Sequence, residues 1–487
     1  MNVSVCVCAC SLFANFISYI DIWSLAASTD LMAIIFQLLE LPCVCNNSVL
    51  KSSPQKKMIE DEEPLQKRSK WTRQDKLLLT LNILMHFGDQ IEVYLPSVIT
   101  QQVSCELRLS STQEGMITTV FYVTLAGGIL FAAFLSHRIS LRKIILISMY
   151  CSILATVVCA AVANYFTLIL SRGLIGFCVG LNSAVGRVYF TQNASSSDIH
   201  AVSMFLIPFI GDLGSCFVAL EAWLLLDLVG WRVFSLLVSM PFFLMPIILL
   251  HCCKLSDNES SVKYESDVGD ESNVGDEASK EIIVPNLRWR ILQLSLVEFM
   301  FTLIAYGGII LLPSMIRMNN YRSSSDLTLD KCKFVLHGSQ FLIIAAVNGC
   351  AFLVGKPLGY WLKGRLPFQV LQCSYVTLIV LAYGFLLFYN GVLATAICIG
   401  MSKFAYALQS VEIGITAFDP HFFGTRDLAT ASAIAYGSAY AGAAVGTGIV
   451  SFSDQRIPVM TKVVLGVVEF FVLCLIPIRK INDLTEK

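Results

Sequence analysis

A hydrophobic run from Leu77 to Gln101, LLLTLNILMHFGDQIEVYLPSVITQ, carries two carboxylates, Asp89 and Glu92, near its middle. A helix rises about 1.5 Å per residue and a bilayer's hydrocarbon core is about 30 Å thick, so this run spans a membrane with Asp89 about 18 Å in. Acids at that depth are costly unless they face a partner or a water-filled cavity within a helix bundle, which marks them as candidate functional groups. The i, i+3 spacing puts both on one face. The rest of the chain is then expected to supply a cavity for that face.

Composition agrees. Of 487 residues only 14% are charged and 56% are hydrophobic, where a soluble domain has about 25% charged. Beyond 77–101, apolar spans lie near 114–136, 144–164, 166–190, 201–225, 231–253, 291–315, 337–361, 368–389, 391–416, 427–450 and 458–478, twelve in all. This predicts an all-α, multi-pass membrane protein with the lipid bilayer as its surroundings. The net charge of −1, with the bases in short clusters, gives no nucleic-acid surface. The seventeen cysteines sit mostly in apolar segments, where a thiol acts as a small hydrophobe.

The chain divides into 1–76, an N-terminal extension and polar tail; 77–253, six spans; 254–290, an acidic linker; 291–478, six spans; and a tail, 479–487. Residues 1–45 hold two apolar runs broken by Asp21, Asp30 and Glu40, without the cationic start of a signal peptide. The linker contains ESDVGDESNVGDE, too polar to bury a core. Basic residues after spans two, eight, ten and twelve fall on the side of the Lys/Arg-rich tail, so both termini are expected in the cytosol. The loop Arg317–Leu336 is a mild exception. On the opposite face Cys105 and Cys332 are candidates for a disulfide.

Six spans plus six is the anatomy of a secondary transporter made of two related halves with a site between them. The intramembrane charges favour the first helix of each three-helix unit: Asp89 and Glu92 in span one, Arg172 in four, Glu298 in seven, Lys403 and Glu412 in ten. Asp212 lies in span five, and Glu469 in span twelve stands outside the pattern. Gln409 shares span ten with its charges. These residues form the expected solute or proton cavity, although charge pairs that merely lock helices would read the same way. From the outer end Arg172 lies about 10 Å deep, Glu92 about 14 Å and Asp89 about 18 Å, a difference an arginine side chain can cover, which predicts a contact between Arg172 and Glu92 or Asp89. Gly176/Gly180 and Gly442/Gly446 are GxxxG spacings, a packing signal.

GDQIEVYLPSVI, SRGLIGFCVG, GWRVF at 230–234 and LLPSMIR at 311–317 resemble the first, fourth, sixth and seventh helices of the synaptic vesicle glycoproteins and their relatives in the major facilitator superfamily. The resemblance implies that twelve-helix fold of two six-helix halves, places Asp89, Glu92 and Arg172 in a central cavity, and puts Glu412 in the place of an acid of helix ten. It also implies a gating loop at His137, Arg138, Arg142 and Lys143. There FLSHRISLRK departs from the superfamily's usual pattern, with His137 at its acid and Ser140 at its glycine.

The expected function is secondary transport of a small organic solute by alternating access, driven by a proton or ion gradient since no ATP motif is present. The alternative is a transporter-fold protein with a regulatory or trafficking role. GCAFLVGKP at 349–357 has the wrong spacing for a phosphate loop and lies in a span. His86, Asp89 and Glu92 on one helix make a poor metal site. No cofactor, metal or enzymatic activity is expected, and the protein is expected to act as a monomer in a plasma or vesicle membrane.

Overall fold

The computed structural model describes residues 72–136, 138–161, 164–193, 197–252, 287–323, 338–362, 365, 368–388, 392–417, 428–452 and 464. Every regular element among them is helical: α1 (Arg73–Leu107), α2 (Ser111–Ser136), α3 (Leu141–Ala160), α4 (Tyr165–Asn193), α5 (Ser197–Asp212), α6 (Gly214–Glu221), a π-helical turn (Ala222–Leu226), α7 (Asp227–Cys252), α8 (Leu287–Ser323), α9 (Gly338–Leu362), α10 (Phe368–Phe388), α11 (Val392–Ala417) and α12 (Leu428–Phe452). Span twelve apart from residue 464 lies outside the described residues, Glu469 with it, as does most of the linker.

Local chemistry sets the ends of α1. Thr72 and Asp75 form a capping box, the hydroxyl oxygen accepting from Asp75 N at 3.1 Å and the carboxylate from Thr72 N at 3.0 Å. This satisfies orphan amides where the polar tail gives way to the apolar run. At the far end Arg108 turns into the left-handed region and its N–H closes on the Ser104 carbonyl. Spans five and six are built from broken pieces. α5 stops at Asp212, α6 and the π-turn follow, and a sharp turn within α7 falls at Gly230, whose φ of 72° suits glycine. Just beyond it Trp231 Nε1 donates to Glu106 at 2.6 Å and Arg232 pairs with the same carboxylate, tying this turn to the end of α1. The Arg232 guanidinium holds the Glu106 carboxyl below its ordinary range.

Seven described helical stretches are long and apolar enough to cross a membrane. The run around Asp89 is not among them, because Asn82, His86, Asp89, Gln90 and Glu92 lower its hydropathy. All five are buried inside the bundle. The outer surface is the reverse, with Phe166 71%, Phe388 82% and Leu393 73% exposed. Polar inside and apolar outside is the arrangement of a chain solvated by lipid.

In the first half α1 packs on α4, α5, α6 and α7, while α4 also packs on α2 and α3. In the second, α12 lies along α8, and α11 along α9 and α10. The halves meet on two seams, α2 with α12 and α6 with α9. The closest crossings use the predicted glycines. A Cβ on Gly176 or Gly180 would land on the backbone oxygens of Phe121 or Leu125 in α2, and one on Gly442 or Gly446 on those of Phe299 or Leu303 in α8. Backbone cannot yield as a side chain can, so Gly442→Ala is expected to force α8 and α12 apart and cost about 1–3 kcal/mol. Thermal unfolding of the purified variant should show a clear fall in Tm, whereas Gly384→Ala, where nothing lies near the added atom, should not.

Candidate functional site

Between the two halves lies a cavity of about 60 Å³, large enough to hold water. The first half contributes His86 and Gln90 from α1, Arg187 from α4 and Asp212 from α5; the second contributes Tyr306 from α8, Lys356 from α9, Tyr406 and Ser410 from α11, and Tyr436 and Tyr440 from α12.

An ion pair bridges the halves across it. Lys356 Nζ stands 2.6 Å from Asp212 Oδ2, with both side chains at least nine-tenths buried. His86 Nε2 approaches the other carboxylate oxygen at 3.6 Å. The break after α5 leaves Asp212 at a helix end, and Gly211 beside it gives the imidazole room, since a Cβ there would strike the His86 ring. A second bridge runs from α4 to α12: Arg187 donates to the Tyr436 hydroxyl and its guanidinium carbon lies 4.3 Å from that ring's centre.

Tyrosines form one wall. The Tyr306 and Tyr406 hydroxyls are 3.1 Å apart, and Tyr122 packs edge-on to Tyr306 and stacks on Tyr440 at 6.4 Å. Burial leaves these hydroxyls to bond one another or a solute.

The residues expected from sequence distribute unevenly. Arg172 and Glu92 do meet, Nη1 to Oε2 at 3.0 Å, with side chains 1% and 0% exposed. They are not among the residues lining the cavity. Asp89 accepts from the Ser183 hydroxyl at 2.7 Å. Asp212 lines the cavity; Glu298, on α8, and Gln409, on α11, are buried but do not. Lys403 is buried, donates to Asn348 Oδ1 and faces the Tyr94 ring at 5.0 Å. The Glu412 side chain and His137 lie outside the described residues. Of the loop bases, Arg138 stacks on Phe134, Arg142 donates to the Leu250 carbonyl at 2.5 Å, and Lys143 is exposed.

Lys356, Arg187, His86 and the tyrosines were not singled out as cavity residues by the charge pattern. Lys356 sits in span eight, outside the helices that the pattern favoured, and its signal was Asp212, a buried acid of span five in need of a cation. Tyrosines carry no mark in an apolar run, because a core tyrosine and a cavity tyrosine read alike. Cys105 is disulfide-bonded; its expected partner, Cys332, lies outside the described residues.

Comparison with known proteins places this architecture. The solved structure of a bacterial homolog of the human lysosomal transporter Spinster, in an inward-facing and unoccupied conformation, has the same fold, with a TM-score of 0.60 at 14% identity, covering 83% of this chain and 97% of that one. Among curated proteins the chain is similar to svop-1 of Caenorhabditis elegans, 26% identical over 154 residues, 32% of this chain and 29% of that protein. It is also similar to the synaptic vesicle 2-related protein of Xenopus laevis, 25% identical over 171 residues, 35% of this chain and 31% of that protein. The matches thus span less than a third of each relative's length. The sequence profile of the Major Facilitator Superfamily matches residues 78–447. This multi-pass membrane chain belongs to the Major Facilitator Superfamily.

Proposed function

We propose that this protein is a secondary transporter that carries a small organic solute through the cavity between its halves. The observation that carries the reading is the makeup of that cavity: charged and hydroxyl side chains from both halves converge on it, and the Asp212–Lys356 pair joins them across it. A site shared by two bodies changes its exposure when they rock, which is what alternating access requires. Gradient coupling would use the titratable groups at the junction, His86 and Asp212, with Asp89 as the neighbouring acid. The test is uptake into liposomes by the purified protein, acting as a monomer, from a panel of organic anions, cations, sugars and nucleotides, with and without an imposed proton gradient. Gradient-dependent accumulation of one class is expected; no flux of any class would favour the alternative, a regulatory membrane protein, to which the altered FLSHRISLRK loop points.

The orientation with both termini in the cytosol belongs to the same proposal, in a plasma or vesicle membrane. It places every N-glycosylation sequon, at Asn2, Asn46, Asn193 and Asn258, on the cytosolic side. Glycosidase treatment of the protein expressed in eukaryotic cells is therefore expected to leave its gel mobility unchanged. A shift would contradict the orientation or the reading of residues 1–45.

A further inference from the structure

A second, smaller cavity adjoins the central one and shares Tyr306 and Tyr406 with it; its other polar walls are Tyr94, Ser402 and Lys403. Its lining holds one ammonium and four hydroxyls and no carboxylate. Lys403 is 7% exposed, and among the described residues no carboxylate forms an ion pair with it. The buried acids of α1 and α5 have other partners: Glu92 has Arg172, Asp212 has Lys356 and Asp89 has Ser183. Glu298 is eight residues from Tyr306 on α8, about 12 Å along the helix. A buried ammonium in such a setting is destabilising until an anion neutralises it.

An ammonium has three donors, and Asn348 accepts from one. The Tyr94 face stabilises the charge without neutralising it. An oxyanion beside Nζ would receive a charge-assisted bond from Lys403, with the Tyr306 and Tyr406 hydroxyls in the same wall to add another. The cavity is about 10 Å³, near the size for one water-sized group. That suits a carboxylate or a halide better than a phosphate or sulfate.

We propose that the Lys403 cavity binds a monovalent anionic group, and that the transported solute is an organic anion whose carboxylate sits there while its body occupies the central cavity. The second half of this proposal rests on the transporter reading; binding itself does not. Thermal unfolding of the purified full-length protein, titrated with sodium benzoate, benzamide, sodium acetate and sodium chloride over a constant sulfate background, tests it. Benzoate or acetate is expected to raise Tm saturably and benzamide to leave it unchanged. Lys403→Gln should weaken the apparent affinity at least about tenfold, and Lys403→Arg should largely preserve it.

Equal shifts with benzoate and benzamide, no shift with any anion, or an unaltered response in Lys403→Gln would overturn the site. A shift with chloride alone would keep the anion site and overturn the organic-anion assignment. If Lys403→Gln is not monodisperse, Asn348→Asp serves, since a carboxylate on the ammonium should abolish anion binding; retained binding there overturns the proposal. Absence of uptake with benzoate binding intact would instead remove the transporter reading and leave the site standing.

Discussion

Lys356→Gln is expected to destabilise the protein by about 3–5 kcal/mol and to abolish solute uptake, because it strands the Asp212 carboxylate in a buried junction without its ion-pair partner. Asp212→Asn should be comparably harmful by leaving the ammonium unpaired. Most of that cost belongs to the orphaned charge and not to the attraction lost, so the double variant Asp212→Asn/Lys356→Gln should recover much of the Tm. Uptake should not recover with it, since the pair joins α5 of one half to α9 of the other inside the cavity. Thermal unfolding and liposome flux measured on all three variants separate the two effects. Either single variant with a wild-type Tm would show that the pair is dispensable for the fold. A fully active double variant would remove it from the transport mechanism.

The buried Arg172–Glu92 contact is expected to behave differently. Arg172→Ala leaves the fully buried Glu92 without its ion-pair partner and opens a void between α1 and α4, a loss of about 3–5 kcal/mol or more, enough to prevent accumulation of folded protein. Replacing both partners with apolar residues of similar volume, Arg172→Met with Glu92→Leu, should restore stability to near or above the natural level. Neither residue lines the cavity, so the apolar pair is expected to keep solute uptake, unlike the Asp212/Lys356 double variant. The comparison is a monodispersity and Tm measurement followed by flux. A stable but inactive Arg172→Met/Glu92→Leu protein would return this pair to the transport machinery.

Several features of the molecule were legible in the residues alone. Apolar run length, set against bilayer thickness, marks the spans. The depth of a side chain follows from its count along a helix, which is why Arg172 and Glu92, entering from the same side on antiparallel helices, could be matched before any contact was known. Glycines four residues apart named the faces of α4 and α12 that approach closest, because only a missing Cβ allows one backbone to lie against another.

The identity of the cavity wall was decided by the tertiary structure. Two charged helices can sit at similar depth and still face different sides of a bundle, so charge and depth alone could not separate Arg172–Glu92, which is not among the lining residues of the cavity, from Asp212–Lys356, which bridges it. Asp212 closes α5, and its pairing with Lys356 depends on which face of that helix meets α9. The tyrosines at 306, 406, 436 and 440 come from three helices of the second half, and they become one wall only when those helices close against the first. Sequence sets what each helix can bury. Which buried groups share a space depends on the rotation of every helix about its own axis, and that is fixed by packing contacts between segments far apart in the chain.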